Sequence, residues 1–582
     1  MSRRRTLALL IGLVALTVGA FLPALDGQFL GWDDEKNLVT NEGYRGLGWA
    51  QLRWMFTATL MGHWIPLTWL TLGVNYVLGG LAPWGYHLGN LLLHAANAVV
   101  FYTVARRLLA AGFSVGPASP AVAWGAAAAA AVFAVHPLRV ESVAWVTERR
   151  DVLSGFFYLL AVLGYLKAVE RGAGGRLDSR WRAVSLGLFA AALLSKASTM
   201  MLPAALLVLD VYPLRRRAVG FTVLLREKIG YFLLAGVGAV VALVAVRQGA
   251  TVTGYAAYGV AARVAMTLYS LLFYPWKFLW PVDLSPMYEL PARVEPLAWR
   301  FLLPMVAGPV ITAALYVLRR RWPGGLAAWV YSALLVLPVS GAVHAGYQLA
   351  HDRYSYLSGL GFAVLVGAAV VWVMRAGARG VLRPWLKGAV LGAMVLVVAT
   401  LAAGAWRQSR VWHDSETLWR WAVGVDPACM MCQNNLGNFL LDHDRLAEAE
   451  TAFRAAAAAR PESAGTRNNL GVVLVRSGRP DEAAAQFREA MRLAPGRIGG
   501  VLNLGLLYLA QGKHQDAIPV LRGVLAQRPD RPDVRAALAA ALVKRGDELR
   551  REGRRAEGDA LVRESTAVLG PASTTGSVPV PR

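Results

Sequence analysis

The first 405 residues of the chain consist largely of long apolar runs separated by short polar or aromatic segments. An apolar run of about 17–25 residues is long enough for an α-helix to cross the hydrocarbon core of a membrane. Counted in this way, the pattern predicts about eleven transmembrane helices. Their approximate limits are residues 1–25, 86–109, 121–135, 152–168, 183–194, 200–212, 229–246, 300–318, 326–342, 354–374 and 388–405. The sequence therefore predicts an all-α membrane bundle over residues 1–405.

The segment between the first two predicted spans differs from the other connections. Residues 26–85 mix tryptophans with charged residues, a composition that is typical of short helices lying in the membrane interface. The first apolar run continues through Phe21-Leu22-Pro23 without a small-residue cleavage site, which favours an uncleaved helix over a secretory signal peptide. We therefore expect residues 26–85 to form an external first loop.

The positive charge of the chain is concentrated beside the apolar runs. Lys and Arg number 60 against 36 Asp and Glu, and the formal net charge is +24. A nucleic-acid-binding protein would carry such charge as a basic face on a folded domain, whereas membrane proteins keep it in cytoplasmic loops. Arginine clusters adjoin the predicted spans at Arg3–Arg5, Arg106-Arg107, Arg215–Arg217 and Arg319–Arg321. We predict a multi-pass protein of a bacterial inner membrane, with a cytoplasmic amino terminus, an external carboxyl-terminal part and no nucleic-acid partner.

Beyond Trp406 the pattern changes to charged, amphipathic segments that repeat every 34 residues. The repeated positions are Leu436-Gly437, Leu470-Gly471 and Leu504-Gly505, the prolines 427, 461, 495 and 529, and the large apolar residues Phe453, Phe487 and Leu521. This is the tetratricopeptide (TPR) pattern, in which helix–turn–helix units stack into an α-solenoid. We predict a TPR domain over residues 406–569, with three clear repeats and a degenerate fourth, Val534–Ala567, as a polar cap. The Ser-, Thr- and Pro-rich tail at 570–582 is expected to be disordered.

Adjacent carboxylates stand directly after the first apolar run, in Trp32-Asp33-Asp34-Glu35. A carboxylate at the centre of a bilayer costs roughly 2.5–3.5 kcal/mol on insertion scales, so these groups must lie at the membrane surface or in a polar cavity. There, Asp33 or Asp34 can take a proton from an acceptor hydroxyl as a general base, or the pair can hold a divalent cation. The alternative interpretation is a solvated turn after a helix.

Other polar groups fall at the external ends of the predicted spans, on the same side as this pair. They are His63, His87, Asn90, His94, His136, Arg139, Glu141, Arg149, Asp151, Lys196, His351, Asp352, Arg353 and Tyr354. Anchoring in the membrane interface explains any one of them alone. Side chains with that role only would, however, be scattered over both faces of the membrane. Lys196 and Arg353 can clamp a phosphate and stabilise the charge that it develops on leaving. A base for a hydroxyl and cations for a leaving phosphate together predict group transfer from a lipid-linked phosphate.

Short motifs along the chain show a resemblance to a known family. They are Trp32-Asp33-Asp34; Pro66-Leu67-Thr68 with Asn75-Tyr76; Trp84–His87 through Asn90 and His94; His136-Pro137 with Glu141–Trp145; Arg149 and Asp151; Ser195-Lys196; Leu284–Pro286; and Asp352–Leu357. With the TPR repeats, they resemble the transmembrane and TPR-containing O-mannosyltransferases, which are polytopic glycosyltransferases of the GT-C class. The resemblance extends over essentially the whole chain. The chain departs from the family's usual pattern at Ile65, at Ala197 and in Thr147–Arg150.

The resemblance implies a GT-C fold whose first external loop carries an acidic catalytic motif, here Asp33 or Asp34, with a slight preference for Asp34. It also implies a polyprenyl-phosphate sugar as the donor. We expect the following residues to bind the substrate and its phosphate: Lys196, Arg353, His136, Glu141, Arg149 and Tyr354. No cofactor is predicted beyond a divalent cation, for which Asp33 and Asp34 would be the ligands.

These observations predict a membrane glycosyltransferase that moves a sugar from a polyprenyl phosphate to a hydroxyl, expected to be a protein Ser or Thr, on the external face. The TPRs would recruit the acceptor or a partner. Two alternatives stay open: transfer to an envelope lipid or glycan, and a non-enzymatic membrane scaffold. The chain has only two cysteines, Cys429 and Cys432, which are too few for a disulfide framework. Their C-x-x-C spacing leaves a local disulfide or redox pair, a weak metal site or simple packing as alternatives.

Overall fold

The computed structural model describes residues 2–248, 258–343 and 348–569. In these ranges the secondary-structure elements are all helical apart from one short antiparallel pair of strands, β1 (Tyr288–Glu289) and β2 (Gln348–Ala350), and loops connect them. The predicted all-α class is therefore confirmed. The structure divides into two compact units, Met1–Trp421 and Ala422–Arg582. The predicted domain boundary at 405/406 falls inside a helix, and the predicted tail at 570–582 lies outside the described residues.

The first unit is a bundle of α-helices. Its helices are α1 (Arg3–Phe21), α2 (Trp49–Thr57), α3 (Pro66–Gly79), α4 (Pro83–Gly112), α5 (Pro120–Val135), α6 (Val140–Ala144), α7 (Arg149–Arg171), α8 (Ser179–Ser195), α9 (Leu202–Val211), α10 (Phe221–Gln248), α11 (Val260–Leu279), α12 (Trp299–Val317), α13 (Pro323–Val336), α14 (Ser355–Ser358), α15 (Leu360–Ala378) and α16 (Pro384–Val411). A further helix, α17 (Ser415–Val425), begins in this unit and ends in the second. Several begin with proline, whose fixed φ and missing N–H suit the first helical turn.

In the described part of the chain, seven helices are long and apolar enough to cross a membrane. An eighth is counted if the bent pair Pro120–Val135 and Pro137–Ala144 forms one span. The other three predicted spans lie on α8, α9 and α13, which have 17, 10 and 14 residues. Every predicted apolar run thus forms a helix, but three of these helices are shorter than the span expected from their sequence. The protein is a multi-pass membrane protein.

Helices α4, α5, α7 and α15 form the buried centre of the first unit. The alanine-rich α5 can approach α15 closely because glycine stands at the crossing on both helices. A Cβ atom at Gly125 would lie 2.6 Å from the Gly367 carbonyl oxygen, and one at Gly367 would lie 2.5 Å from the Gly125 carbonyl oxygen. The first loop, residues 26–85, has its own apolar cluster, in which Tyr44, Met55 and Trp69 are buried.

A buried ionic network ties α7, α9 and α10 together near the carboxyl-terminal end of α7. The Asp210 carboxylate accepts a hydrogen bond from the Tyr165 hydroxyl at 2.6 Å and pairs with both Arg216 and Lys228. Arg216 also makes two 2.9 Å hydrogen bonds to Glu227. Because two cations meet two carboxylates, the charges of this network are balanced in the membrane bundle.

The second unit consists of consecutive antiparallel helix pairs. The pairs are α18 (Met430–Asp442) with α19 (Leu446–Ala459), α20 (Ala464–Arg476) with α21 (Pro480–Leu493), α22 (Ile498–Ala510) with α23 (His514–Gln527), and α24 (Pro532–Arg551) with α25 (Arg555–Leu569). The repeated glycines lie where the two helices of a pair touch. A Cβ atom at Gly437 would lie 2.7 Å from the Phe453 ring, and one at Gly505 would lie 2.7 Å from Leu521. The TPR solenoid predicted from the 34-residue period is confirmed.

Candidate functional site

The carboxylate of Asp34 anchors the first loop to the turn that precedes α7. Its Oδ2 accepts a hydrogen bond from the Leu30 N–H at 3.0 Å. Its Oδ1 accepts hydrogen bonds from the N–H and the hydroxyl of Thr147, at 2.9 and 2.6 Å. Burial raises the pKa of Asp34 to about 6, against the lowering effect of these hydrogen bonds. Both oxygens of Asp34 are therefore engaged in holding the loop.

The carboxylate of Asp33 is placed differently from that of its neighbour. It stays partly exposed, and within the described residues it makes no hydrogen bond or ion pair. Burial nevertheless raises its pKa, while the positive charges of Arg150 and Arg353 act in the opposite direction. The preceding Trp32 stacks on Trp145 with ring centroids 4.4 Å apart, which fixes the backbone beside Asp33. Of the two predicted catalytic aspartates, Asp33 is the one whose carboxylate remains available.

Three cations converge on the buried carboxylate of Glu148. Arg150 donates hydrogen bonds to its two oxygens at 2.6 and 3.1 Å, and Lys196 Nζ lies 3.1 Å from Oε2. Arg353 Nε lies 3.2 Å from Oε1. The first turn of α7, the break between α8 and α9, and the turn before α14 therefore each bring one cation to Glu148. We call Glu148, Arg150, Lys196 and Arg353 the cation cluster.

Two further carboxylates complete the charge balance of the cation cluster. Glu141 accepts a hydrogen bond from the Arg353 N–H at 2.8 Å and pairs with the Arg353 guanidinium. Asp151 pairs with Lys196 and accepts a 3.2 Å hydrogen bond from the Ser142 hydroxyl. Three cations thus face three buried or nearly buried carboxylates, and Asp33 adds a fourth negative group nearby.

Lys196 and Arg353 also line a narrow cleft between the end of α13 and α14. Its walls include Asp151, Ser154, Ser198, Leu335, Tyr354, Tyr356 and Leu357. The Tyr354 ring lies against the guanidinium of Arg353, with the ring centroid 5.1 Å from Cζ. Of the predicted binding residues, Lys196, Arg353, Glu141 and Tyr354 are therefore brought together.

The side chains of His136 and Arg149 bond to partners outside the cation cluster. His136 Nε2 lies 3.0 Å from the Phe278 carbonyl oxygen, and its Nδ1 accepts a hydrogen bond from the Leu138 N–H. Arg149 donates hydrogen bonds to the Tyr86 carbonyl and to the Asn90 side chain on α4. Both side chains thus hold neighbouring segments together, and their predicted role in substrate binding has no support from their position.

Two members of the cation cluster, Glu148 and Arg150, and the nearby His63 have weaker signals in the sequence. Glu148 and Arg150 belong to a segment that stood out as bulkier than the family pattern, but the sequence does not show that they share partners with Lys196. His63 sits at the end of a tight turn in which Leu60 and His63 exchange backbone hydrogen bonds of 3.0 and 2.9 Å. His63 remains exposed to solvent. The positive charges of Arg150 and Lys196 are close enough to disfavour its protonated form.

Over the described ranges, no group of three or more His, Cys, Asp or Glu side chains is arranged to hold a metal ion. Asp34, one of the two predicted ligands, already uses both oxygens for hydrogen bonds within the protein. The two carboxylates therefore differ: that of Asp34 holds the loop, and that of Asp33 remains available.

The fold and the site define a multi-pass membrane protein with a buried polar site and a TPR solenoid. The tetratricopeptide repeat family matches residues 400–464, 435–498 and 508–548. Protein O-mannosyl-transferase Tmtc2 of Drosophila melanogaster is 39% identical over 159 residues, which cover 27% of this chain and 15% of that protein. Protein O-mannosyl-transferase TMTC4 of Homo sapiens is 35% identical over 202 residues, which cover 32% of this chain and 27% of that protein.

The resemblance to the TPR-containing O-mannosyltransferases, predicted from the motifs, is confirmed by these relatives. The chain spans less than a third of the length of either protein. Among solved structures, the crystal structure of MamA protein has 17% sequence identity and a TM-score of 0.23, over 26% of this chain and 80% of that one. A TM-score this low supports no inference about this chain.

Proposed function

We propose that the protein is a membrane glycosyltransferase of the GT-C type that moves a sugar from a polyprenyl phosphate to a hydroxyl of a protein Ser or Thr. The observation that carries this proposal is the available carboxylate of Asp33 beside the cation cluster. The two features supply groups for the transfer: a base for the acceptor, and the charged N–H donors of Lys196 and Arg353 for the leaving phosphate. The similarity to protein O-mannosyl-transferases supports a sugar donor and a protein acceptor.

In the proposed reaction, Asp33 accepts the proton of the acceptor hydroxyl as its oxygen attacks the anomeric carbon of the sugar. The new bond joins this oxygen to the sugar. The bond between the anomeric carbon and the phosphate oxygen breaks, and the phosphate keeps the electron pair. Lys196 and Arg353 line the cleft, so they are the cations that would stabilise the negative charge developing on the phosphate.

An apolar cleft in the bundle supports a lipid-linked donor. It runs between α4, α7, α9, α13 and α15 and is lined mainly by Phe, Leu, Val and Ala side chains. Tyr331 lines this cleft, and Leu335, one helical turn further along α13, lines the cleft that holds Lys196 and Arg353. With the donor phosphate bound at Lys196 and Arg353, its isoprenoid chain can therefore run along α13 into the apolar cleft.

The disulfide between Cys429 and Cys432 supports an external position of the TPR unit. Disulfides persist in oxidising compartments and are rare in a reducing cytoplasm. We propose that the TPR unit lies on the periplasmic face of a bacterial inner membrane, where it recruits the acceptor protein or a partner. Protease treatment of spheroplasts tests this location, because an external TPR unit is digested before the cells are lysed.

A transfer assay tests the function directly. The full chain is reconstituted in lipid nanodiscs and supplied with a panel of polyprenyl-phosphate sugars and Ser/Thr-containing peptides. We expect transfer from at least one donor and its loss in Asp33→Asn. Modification of an added envelope lipid or glycan in place of the peptide would identify that acceptor class instead. No transfer from any donor, with the TPR unit still required in cells, would favour a non-enzymatic scaffold.

A further inference from the structure

The segment that follows the last membrane helix packs against the loop that carries Asp33. We call residues Trp412–Trp421 the joint segment; it includes the first turns of α17 and belongs to the first unit. Nothing in the sequence pattern links it to the site, because it follows the predicted membrane domain and precedes the first clear repeat. Its contacts nevertheless reach the residues on either side of the first-loop motif.

The joint segment makes three contacts with the first loop. The Gln28 N–H donates a 2.7 Å hydrogen bond to the His413 carbonyl, and the Gly31 N–H donates a 2.7 Å hydrogen bond to Ser415 Oγ. The Trp419 ring meets the Trp32 ring edge to face, with centroids 5.0 Å apart.

Ser415 and Trp419 are four residues apart, so they lie on one face of α17. Both are buried. They hold consecutive residues of the loop, Gly31 and Trp32, which directly precede Asp33.

A second set of contacts ties the joint segment to another loop of the first unit. The Leu284 carbonyl accepts a 2.7 Å hydrogen bond from Trp421 Nε1 of the joint segment. It accepts a second one, at 3.3 Å, from Gln408 Nε2 on α16, just before that segment. Leu284 belongs to the turn before β1, where Tyr288 donates a 3.0 Å hydrogen bond to Asp352. The joint segment therefore bridges the loop of Asp33 and the loops next to Arg353.

We propose that the joint segment is a positioning element of the site and that Ser415 is a positioning residue for Asp33. This inference rests on the proposed transfer reaction. Ser415 bonds to the backbone and not to the carboxylate: its Oγ fixes the Gly31 N–H, two residues before Asp33. A displacement of about 1 Å at a reacting group can lower a rate by roughly 10²-fold, so a loop anchor of this kind acts on turnover.

The test uses the full chain in nanodiscs and compares Ser415→Ala, Ser415→Thr and Arg420→Gln. The last is the matched control, because Arg420 forms an exposed i,i+4 pair with Glu416 on the same helix. In Ser415→Ala we expect kcat to fall about tenfold while KM changes less than about twofold, because the group acts on alignment and not on binding. Ser415→Thr keeps the hydroxyl, so its kcat should be close to that of the wild-type chain. Hydrogen exchange of the peptide covering residues 28–36 should become faster in the Ala variant alone.

The possible results separate the inference from the function on which it rests. An unchanged kcat in Ser415→Ala overturns the positioning role, whether or not exchange becomes faster. A rise in KM at constant kcat also overturns it, because it would indicate a binding contact. If the wild-type chain transfers no sugar from any donor, the proposed function fails and the positioning role fails with it. The exchange data then decide only whether Ser415 orders the loop.

Discussion

The Asp34 carboxylate and Thr147 make a double contact across the membrane unit, through the N–H of Thr147 at 2.9 Å and its hydroxyl at 2.6 Å. The two residues are 113 positions apart in the chain. The contact joins the first loop to the turn that presents Glu148 and Arg150. Because Asp34 is used as this anchor, the adjacent Asp33 is left to face the cation cluster.

Replacing Asp33 by asparagine should remove activity and leave the fold intact. The partly exposed carboxylate makes no bond that the amide would break, so the thermal unfolding temperature should stay unchanged. Loss of a general base lowers turnover by roughly 10²–10⁴-fold. The measurement is sugar transfer in nanodiscs together with thermal unfolding in detergent. Full activity in Asp33→Asn would remove Asp33 from the reaction.

Replacing Asp34 by asparagine should act mainly on stability. An amide offers one acceptor oxygen where the carboxylate offers two, so its NH₂ group would face the N–H of Leu30 or Thr147. An unsatisfied buried donor costs roughly 1–3 kcal/mol. Thr147→Val removes one donor and keeps the carboxylate, and we expect a smaller loss, about 1 kcal/mol. A stable but inactive Asp34→Asn protein would instead identify Asp34 as the reacting carboxylate.

The activity should decline at acidic pH earlier than for an ordinary surface aspartate. Burial raises the pKa of Asp33 above its usual 3.8, and only the ionised form can accept a proton. The acid limb of kcat/KM should therefore lie above pH 3.8. In Arg150→Gln this limb should move to higher pH, because a charge that stabilises the Asp33 carboxylate is removed. A limb that does not respond to Arg150→Gln would mean that another group is titrating.

The local patterns of this sequence predict its helices well. The TPR unit follows from a strict 34-residue period, because each repeat is one small unit that packs on its neighbours. The membrane helices follow from apolar runs, although at Ser195-Lys196 and similar short breaks three of the eleven runs form helices shorter than the spanning length. These features depend on residues close together in the chain, which is why the sequence shows them.

The candidate site depends on contacts between distant residues, and the sequence predicts it less completely. Lys196, Arg353 and Glu141 could be expected to meet, because their helix ends lie on one predicted side of the membrane. The resemblance slightly favours Asp34, whereas the structure leaves the carboxylate of Asp33 available, because the difference between the two comes from Thr147 far along the chain. The sequence also predicts that His136 and Arg149 bind the substrate alongside Lys196. In the structure their hydrogen-bond partners are instead Phe278, Tyr86 and Asn90.

Replacing Glu148 by glutamine should destabilise the membrane unit strongly. Its carboxylate is the shared partner of Arg150, Lys196 and Arg353, so the neutral variant leaves three cations with two remaining carboxylates. Breaking a buried ion pair from one side typically costs about 3–5 kcal/mol. The matched control is Glu170→Gln, which breaks a pair with Arg107 that is partly exposed and should cost less than about 1 kcal/mol. Equal unfolding temperatures for the two variants would contradict the proposed central role of Glu148.

The network around Asp210 should contribute to stability without contributing to the reaction. Tyr165 follows Arg149 by sixteen positions on α7, which separates the network from the site by roughly 24 Å at 1.5 Å per residue. Lys228→Met leaves the buried Asp210 with fewer cations and should cost about 3–5 kcal/mol.

The double variant Asp210→Leu/Lys228→Met removes both charges of that pair and should recover part of the loss, because an apolar pair needs no compensation inside the bundle. Thermal unfolding of the single and double variants measures the coupling, and the transfer assay is run below the unfolding temperature of each. An additive loss would show that the two side chains are not coupled. A selective loss of turnover in the folded Lys228→Met protein would show that the network reaches the site after all.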